Sequence, residues 1–195
     1  MKLLYCHQSQ PLSRTLFYFS VSLIGLALTF CMAIASVNAQ AKLTEQSKVS
    51  IYGIGPVSVG MTIAETSSAA GTPLIKTTSH GARLGCFYYE PQGGPEGVSF
   101  MAINGRIARV DVSNERITTV SGAKIGDTLD RIYSLYPGQI QITDITSGGR
   151  VRYFAFVPTS VEDKNYRLLF GMIQGSVRFF IAGQLPEVEY PEECL

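Results

Sequence analysis

The chain of 195 residues carries 16 Lys+Arg against 15 Asp+Glu, with 46% apolar and 16% charged residues. That balance excludes a disordered chain of low hydrophobicity, a polyelectrolyte tail and a basic nucleic-acid binder. The mean hydropathy of +0.17 is high for a soluble domain, and many of the apolar residues lie in the first forty positions.

Lys2 and Arg14 bracket a polar start, and residues 16–35 are then almost continuously apolar, interrupted by Ser20, Ser22 and Thr29. No acidic residue precedes Glu45. The run leaves through Ala35-Ser36-Val37-Asn38-Ala39, where Val37 and Ala39 supply the small residues that a signal peptidase needs at −3 and −1. Residues 1–39 therefore read as a signal peptide, with Gln40 as the mature N-terminus and a periplasmic or extracellular destination. The alternative is a retained anchor, because about 20 apolar residues just span a bilayer. Lipobox processing is disfavoured by bulky Phe30 immediately before Cys31. Loss of Lys2 and Arg14 leaves 14 basic against 15 acidic residues, so the mature chain has no electrostatic preference for nucleic acid or anionic membranes. No membrane span is expected after cleavage.

Of the four cysteines, Cys6 and Cys31 depart with the signal. Cys86 and Cys194 remain, and in an oxidising compartment they form one bridge from the C-terminal tail to the middle of the chain. The mature chain keeps a single histidine, His80, in a polar Thr-Thr-Ser-His-Gly loop. One histidine without neighbouring Cys, Asp or Glu does not make a metal site, and no cofactor motif accompanies it.

Two stretches of the mature chain share a pattern. Val59-Gly60-Met61-Thr62-Ile63 and Ile125-Gly126-Asp127-Thr128-Leu129 each open a helical segment, and each segment ends at a turn, Gly71-Thr72-Pro73 or Pro137-Gly138. Thr62 and Glu65 have capping-box spacing, and Asp127 or Thr128 takes the equivalent role in the second copy. The second helix shows an apolar stripe at Leu129, Ile132, Tyr133 and Tyr136, whereas the first is weak, with Ile63, Ala69 and Ala70. Each segment is followed by a hairpin: residues 98–112 around Asn104-Gly105, and residues 166–182 around Gln174-Gly175. Additional strands are expected over 85–90 and 150–157, with an insertion at 161–165. The expected fold class is α+β, two tandem helix-plus-antiparallel-strand repeats packed as one domain, comprising 40–115 and 116–195 with the C-terminal tail. Alternation in the second hairpin places Leu168, Phe170, Met172, Val177, Phe179 and Ile181 on a buried face, and Arg167, Leu169, Arg178 and Phe180 on the opposite one.

The Gly60-Met61-Thr62 opening, its echo Gly126-Asp127-Thr128 and the doubled unit behind an export signal resemble the β-lactamase inhibitory protein. The same opening is similar to that of the small SmpA/OmlA-type lipoproteins of outer-membrane assembly. The resemblance implies a non-enzymatic binder, the inhibitor type presenting a concave sheet to its partner. The lipid-attachment cysteine of the assembly lipoproteins is missing, and no partner-contacting loop of the inhibitors aligns.

Chemistry has few footholds. Ser121-Gly122-Ala123-Lys124 matches the Ser-x-x-Lys spacing of penicillin-binding enzymes, but Gly122 interrupts the helix that this geometry needs, and no Ser-Asp-Asn or Lys-Thr-Gly accompanies it. Gly53-x-Gly55-Pro56 lacks the remainder of a phosphate loop. The pairs Glu192-Glu193 and Asp127/Asp130 sit in a tail and at a helix start, not in tuned acid-base surroundings. A binding face remains: Arg152, Phe154, Arg167, Arg178 and Phe180 combine the arginine and aromatic character of interface hot spots. The expected function is thus that of an exported, non-enzymatic protein-binding module, including the inhibitor type, whose partner is another protein or envelope component. An envelope assembly or scaffolding protein is the alternative, and a serine hydrolase using Ser121 the remote one.

Overall fold

The two hairpins form where the turn chemistry places them. Asn104 and Gly105 have φ of 49° and 79°, and Gln174 and Gly175 have φ of 52° and 82°. This left-handed pair is the turn whose twist matches two antiparallel strands. The arms are β6 (Val98–Ile103) and β7 (Arg106–Val112) in the first hairpin, and β11 (Tyr166–Ile173) and β12 (Ser176–Gln184) in the second. The fold is given by a computed structural model, which describes residues 42–77, 85–147, 150–190 and 194. The expected signal segment with its cleavage point at Ala39, His80 and the Glu192-Glu193 pair lie outside the described residues.

Three pairs of strands precede or flank these hairpins: β1 (Lys48–Ser50) with β2 (Gly53–Ile54), β4 (Leu74–Thr77) with β5 (Cys86–Pro91), and β9 (Ile140–Ser147) with β10 (Val151–Phe156). With β3 (Val57–Ser58) and β8 (Thr118–Thr119) they assemble into two sheets. The larger has eight antiparallel strands in the order β4-β5-β6-β7-β12-β11-β10-β9. The smaller has the order β3-β2-β1-β8, with β1 and β8 parallel.

The expectation of two helix-plus-strand repeats is overturned by this architecture. The described residues hold two short α-helices, α1 (Ile63–Ala70) and α2 (Leu129–Leu135), too few and too brief to form a helical layer. The fold is β-rich. The physical reason lies in the hairpin edges: β7 and β12 satisfy each other's outward backbone groups, pairing Val112 with Phe180 and Arg109 with Gly183, so the strands of both halves fuse into one sheet. Gly183 permits that junction, because a Cβ there would lie 2.5 Å from the Ala108 carbonyl oxygen and 2.7 Å from the Arg109 Cβ.

The helix starts follow the sequence closely. Thr62 accepts from the Glu65 amide while the Glu65 carboxylate accepts from the Thr62 amide, completing the capping box, and Thr128 caps α2. The segments before the helices dock on the tips of the hairpins. The Gly60 amide donates to the Ile107 carbonyl, and the Gly126 amide donates to that of Val177, at 2.7 and 2.8 Å.

The main core lies between one face of the large sheet and the small sheet with its two helices. Val49, Ile54 and Ile117 of the small-sheet side and Ile132 and Tyr136 of the α2 segment meet Phe100, Val110, Phe170 and Phe180. A second cluster, Tyr153, Ala155, Leu169, Ile181 and Val188, occupies the opposite, outer face.

Each hairpin carries a β-bulge that rearranges these faces. In the first, Met101 pairs with Arg109 but Ala102 pairs with Ile107, leaving Ala108 as the extra residue. In the second, Gly171 pairs with Phe179 but Met172 pairs with Val177, leaving Arg178 extra. An extra residue shifts the two-residue alternation by one beyond it. Val177, Phe180 and Ala182 consequently share the inner face, and Phe179 and Ile181 move to the outer one. Strict alternation places Val177 correctly but exchanges the faces of Phe179, Phe180 and Ile181.

Candidate functional site

The five residues expected to form one binding face are not brought together. Phe154 and Phe180 are 3% and 0% exposed in the main core, so neither is available to a partner. Arg152 is exposed at the rim of the inner face, its guanidinium 5.7 Å from the Phe154 ring centroid. Arg178 is the exposed bulge residue. Arg167 lies half-buried on the outer face, where it pairs with Glu189 at 3.4 Å and donates to the Lys164 and Tyr166 carbonyls. Ser121 sits in a turn closed by the Gly122 amide on the Thr119 carbonyl, away from any helix, so its spacing to Lys124 has no helical geometry behind it.

The outer face of the large sheet has the more developed site. Strand register lines up Tyr88, Met101, Arg109, Gly183 and Arg167 across five strands, and the next rung carries Ser99, Asp111, Ile181 and Leu169. Over the first rung lie residues 185–190 and Cys194 of the C-terminal segment. Its 3-10 turn, Glu187–Glu189, buries Val188, and Cys194 is bonded to Cys86 with a Cα separation of 5.4 Å, confirming the expected pairing. On the second rung Leu169 and Ile181 are buried, whereas at Ser99 and Asp111 the face opens into a cleft of about 410 Å³.

Arg109 anchors both parts. It is 1% exposed, and such a charge is retained in a protein interior only with partners in place. Its Nη1 donates to the main-chain carbonyls of Glu187, at 3.1 Å, and Tyr190. Nη2 donates to the Tyr88 hydroxyl and to Asp111 Oδ2 at 3.0 Å, and Nε lies 3.0 Å from Asp111 Oδ1. The Tyr88 hydroxyl donates in turn to Asp111 Oδ2. Burial opposes the charge on Arg109, but Asp111 and Tyr88 outweigh it and hold the guanidinium firmly protonated. Burial, and after it the Asp111 charge, push the Tyr88 phenol well above its ordinary range. Tyr88 is therefore a neutral hydrogen-bonding group at physiological pH rather than a proton acceptor.

The walls of the cleft are aromatic and aliphatic. Tyr153 and Phe179 stand edge to face with centroids 5.9 Å apart, and Ile181 is beside them. Phe179 owes its position to Gly171, since a Cβ at 171 would lie 2.2 Å from the Phe179 ring. Glu90 and Ser99 complete the polar lining, and Glu90 is exposed. None of Tyr88, Arg109, Asp111, Tyr153 or Phe179 stood out in the sequence as a site residue. The available signal was the alternation of Arg109 with Asp111 in an otherwise apolar strand, a pair of opposite charges directed to the same side.

Among the described residues no group of His, Cys, Asp and Glu is arranged to hold a metal ion, and no helix is long and apolar enough to cross a membrane. No family model matches the chain, and no curated protein matches it. Among solved structures it is similar to the crystal structure of the uncharacterized protein yfeY from Escherichia coli. The identity is 20%, over 73% of this chain and 99% of that chain, and the TM-score is 0.38. A likeness that loose carries no argument about function.

Proposed function

We propose that the protein is an exported, non-enzymatic binding module that engages another protein through the outer-face cleft. The observation that carries this reading is the cleft itself: about 410 Å³ with a rigid hydrogen-bonded floor, Tyr88, Arg109 and Asp111, and walls of Tyr153, Phe179 and Ile181. Apolar walls around a few fixed polar groups are the composition of recognition sites. The floor groups are engaged with one another, which suits a preorganised surface and leaves no tuned acid, base or nucleophile among them. Export is supported by the signal-like segment 1–39 and agrees with the Cys86–Cys194 bridge, since such bridges persist in oxidising compartments.

The test is site-specific photo-cross-linking in the producing cells, with a photoreactive phenylalanine analogue in place of Phe179, of Ser99 or of exposed Val161 on the far loop. The reading expects one discrete protein adduct from positions 179 and 99 and none from 161. An adduct from position 161 but none from 179 or 99 would overturn it.

A further inference from the structure

We infer that the cleft accepts a basic side chain, the guanidinium or ammonium of an arginine or lysine on the partner protein. This rests on the cleft being the binding surface and adds the chemistry of what enters it.

The inference follows from which polar groups remain for a visitor. Arg109 is the cation of the lining, and its N–H groups are directed to the Glu187 and Tyr190 carbonyls, the Tyr88 hydroxyl and the two Asp111 oxygens. Its Nε, 3.0 Å from Asp111 Oδ1 without a hydrogen bond, is buried, so no donor faces an incoming anion. The lining carboxylates number two, Asp111 and Glu90, against that one guanidinium. Asp111 keeps 24% of its side chain exposed. Glu90 makes no ion pair or hydrogen bond among the described residues, and its strand position puts it on the same face as Tyr88. The cleft therefore carries a net charge of about −1 with oxygen acceptors at its mouth.

The walls favour the same visitor. A cation stacks against aromatic rings, and half-buried Phe179, backed edge to face by buried Tyr153, supplies one. The aliphatic stem of an arginine or lysine covers Phe179, with Asp111, Ser99 and Glu90 on the successive strands β7, β6 and β5 along the cleft for the charged head. An acidic or phosphorylated ligand would meet two carboxylates and a guanidinium already engaged. A purely apolar ligand would leave Glu90 desolvated without a partner.

The experiment is a titration of backbone amide chemical shifts in the purified protein with three probes of one chain length: n-butylguanidinium, butyrate and butanol. The expected result is saturable shifts at Ser99, Asp111 and Phe179 with n-butylguanidinium, and binding weakened about threefold by Glu90→Gln. Butyrate should leave the same amides unmoved, and butanol should bind more weakly than the cation. Equal binding of butanol or butyrate would overturn the charge preference while leaving the cleft as the binding surface. If no probe shifts the cleft, or if the cation saturates elsewhere, both this inference and the choice of cleft fall.

Discussion

Arg109 and Asp111 stand two residues apart on one strand and face the same side of the sheet, with Nε 3.0 Å from Oδ1. This pair joins the covered and the open halves of the outer face, because Arg109 reaches back to the C-terminal segment while Asp111 borders the cleft. Removing one partner strands the other. Asp111→Ala should therefore cost about 3–5 kcal/mol of stability, because it leaves a buried guanidinium short of its counter-charge. The double replacement Arg109→Met with Asp111→Leu should cost much less than the sum of the singles. Urea unfolding of the three variants checks both expectations.

Alkaline pH should unfold the protein through its buried phenols. Burial holds the Tyr88 phenol above the ordinary phenol value of about 10 in the folded chain, and Tyr136, also buried, is raised as well. Above that value the unfolded chain loses phenolic protons that the folded chain retains, so stability falls as pH rises. The contribution is fully present below about pH 10 and is lost as the pH climbs toward the folded-state values. Tyr88→Phe should flatten the decline, as measured by unfolding midpoints at a series of alkaline pH values, whereas acidic and neutral midpoints need not change slope.

Burial of Phe154 and Phe180 makes a sharp contrast with their exposed neighbours. Phe180→Ala should destabilise the protein by about 3–5 kcal/mol, and Phe154→Ala by a similar amount, because each empties a packed position. Arg178→Ala should change stability by no more than about 0.5 kcal/mol. Thermal melts of the three variants distinguish this arrangement from the alternating one. Little loss with either Phe180→Ala or Arg178→Ala would restore the alternating faces.

Gly183→Ala should weaken the junction between β7 and β12. The added methyl meets backbone and the Arg109 Cβ rather than a flexible side-chain end, so a loss of about 1–3 kcal/mol is expected. Hydrogen exchange should show faster opening at residues 109–112 and 180–183, which pair across that seam.

The Cys86–Cys194 bridge predicts a purified chain two hydrogens lighter than its thiol form by mass spectrometry without reductant. Cys194→Ser should cost up to about 4–5 kcal/mol in the chain-entropy treatment of a long closed loop. It should also raise exchange at residues 187–190, which the bridge helps to hold against β7.

Local signals carried much of the fold into the sequence. Asn104-Gly105 and Gln174-Gly175 marked both hairpins, Thr62 with Glu65 marked a helix start, and Cys86 with Cys194 marked the crosslink. What stayed hidden was set by relations between strands. Neither Ala108 nor Arg178 differs in type from an ordinary strand residue, so nothing announced that the pairing skips a position there. With the skip unseen, Phe180 read as exposed and Phe179 as buried, and the expected binding face inherited the error. The cleft stayed hidden because it needs β5, β6, β7, β12, β11 and β10 in that order side by side, an order that depends on the β7–β12 seam. The tail over Arg109 was signalled only by Cys194.

The anchoring of the C-terminal segment has a consequence for how its sequence can drift. Arg109 holds that segment by the carbonyls of Glu187 and Tyr190, groups that every residue possesses. The instructions for where the tail lies are therefore written in β7, Cys86 and the buried Val188 and Cys194, not in the side chains at 187 and 190. Those two positions can vary widely, and a new surface chemistry can be displayed beside the cleft without redesigning the scaffold that presents it.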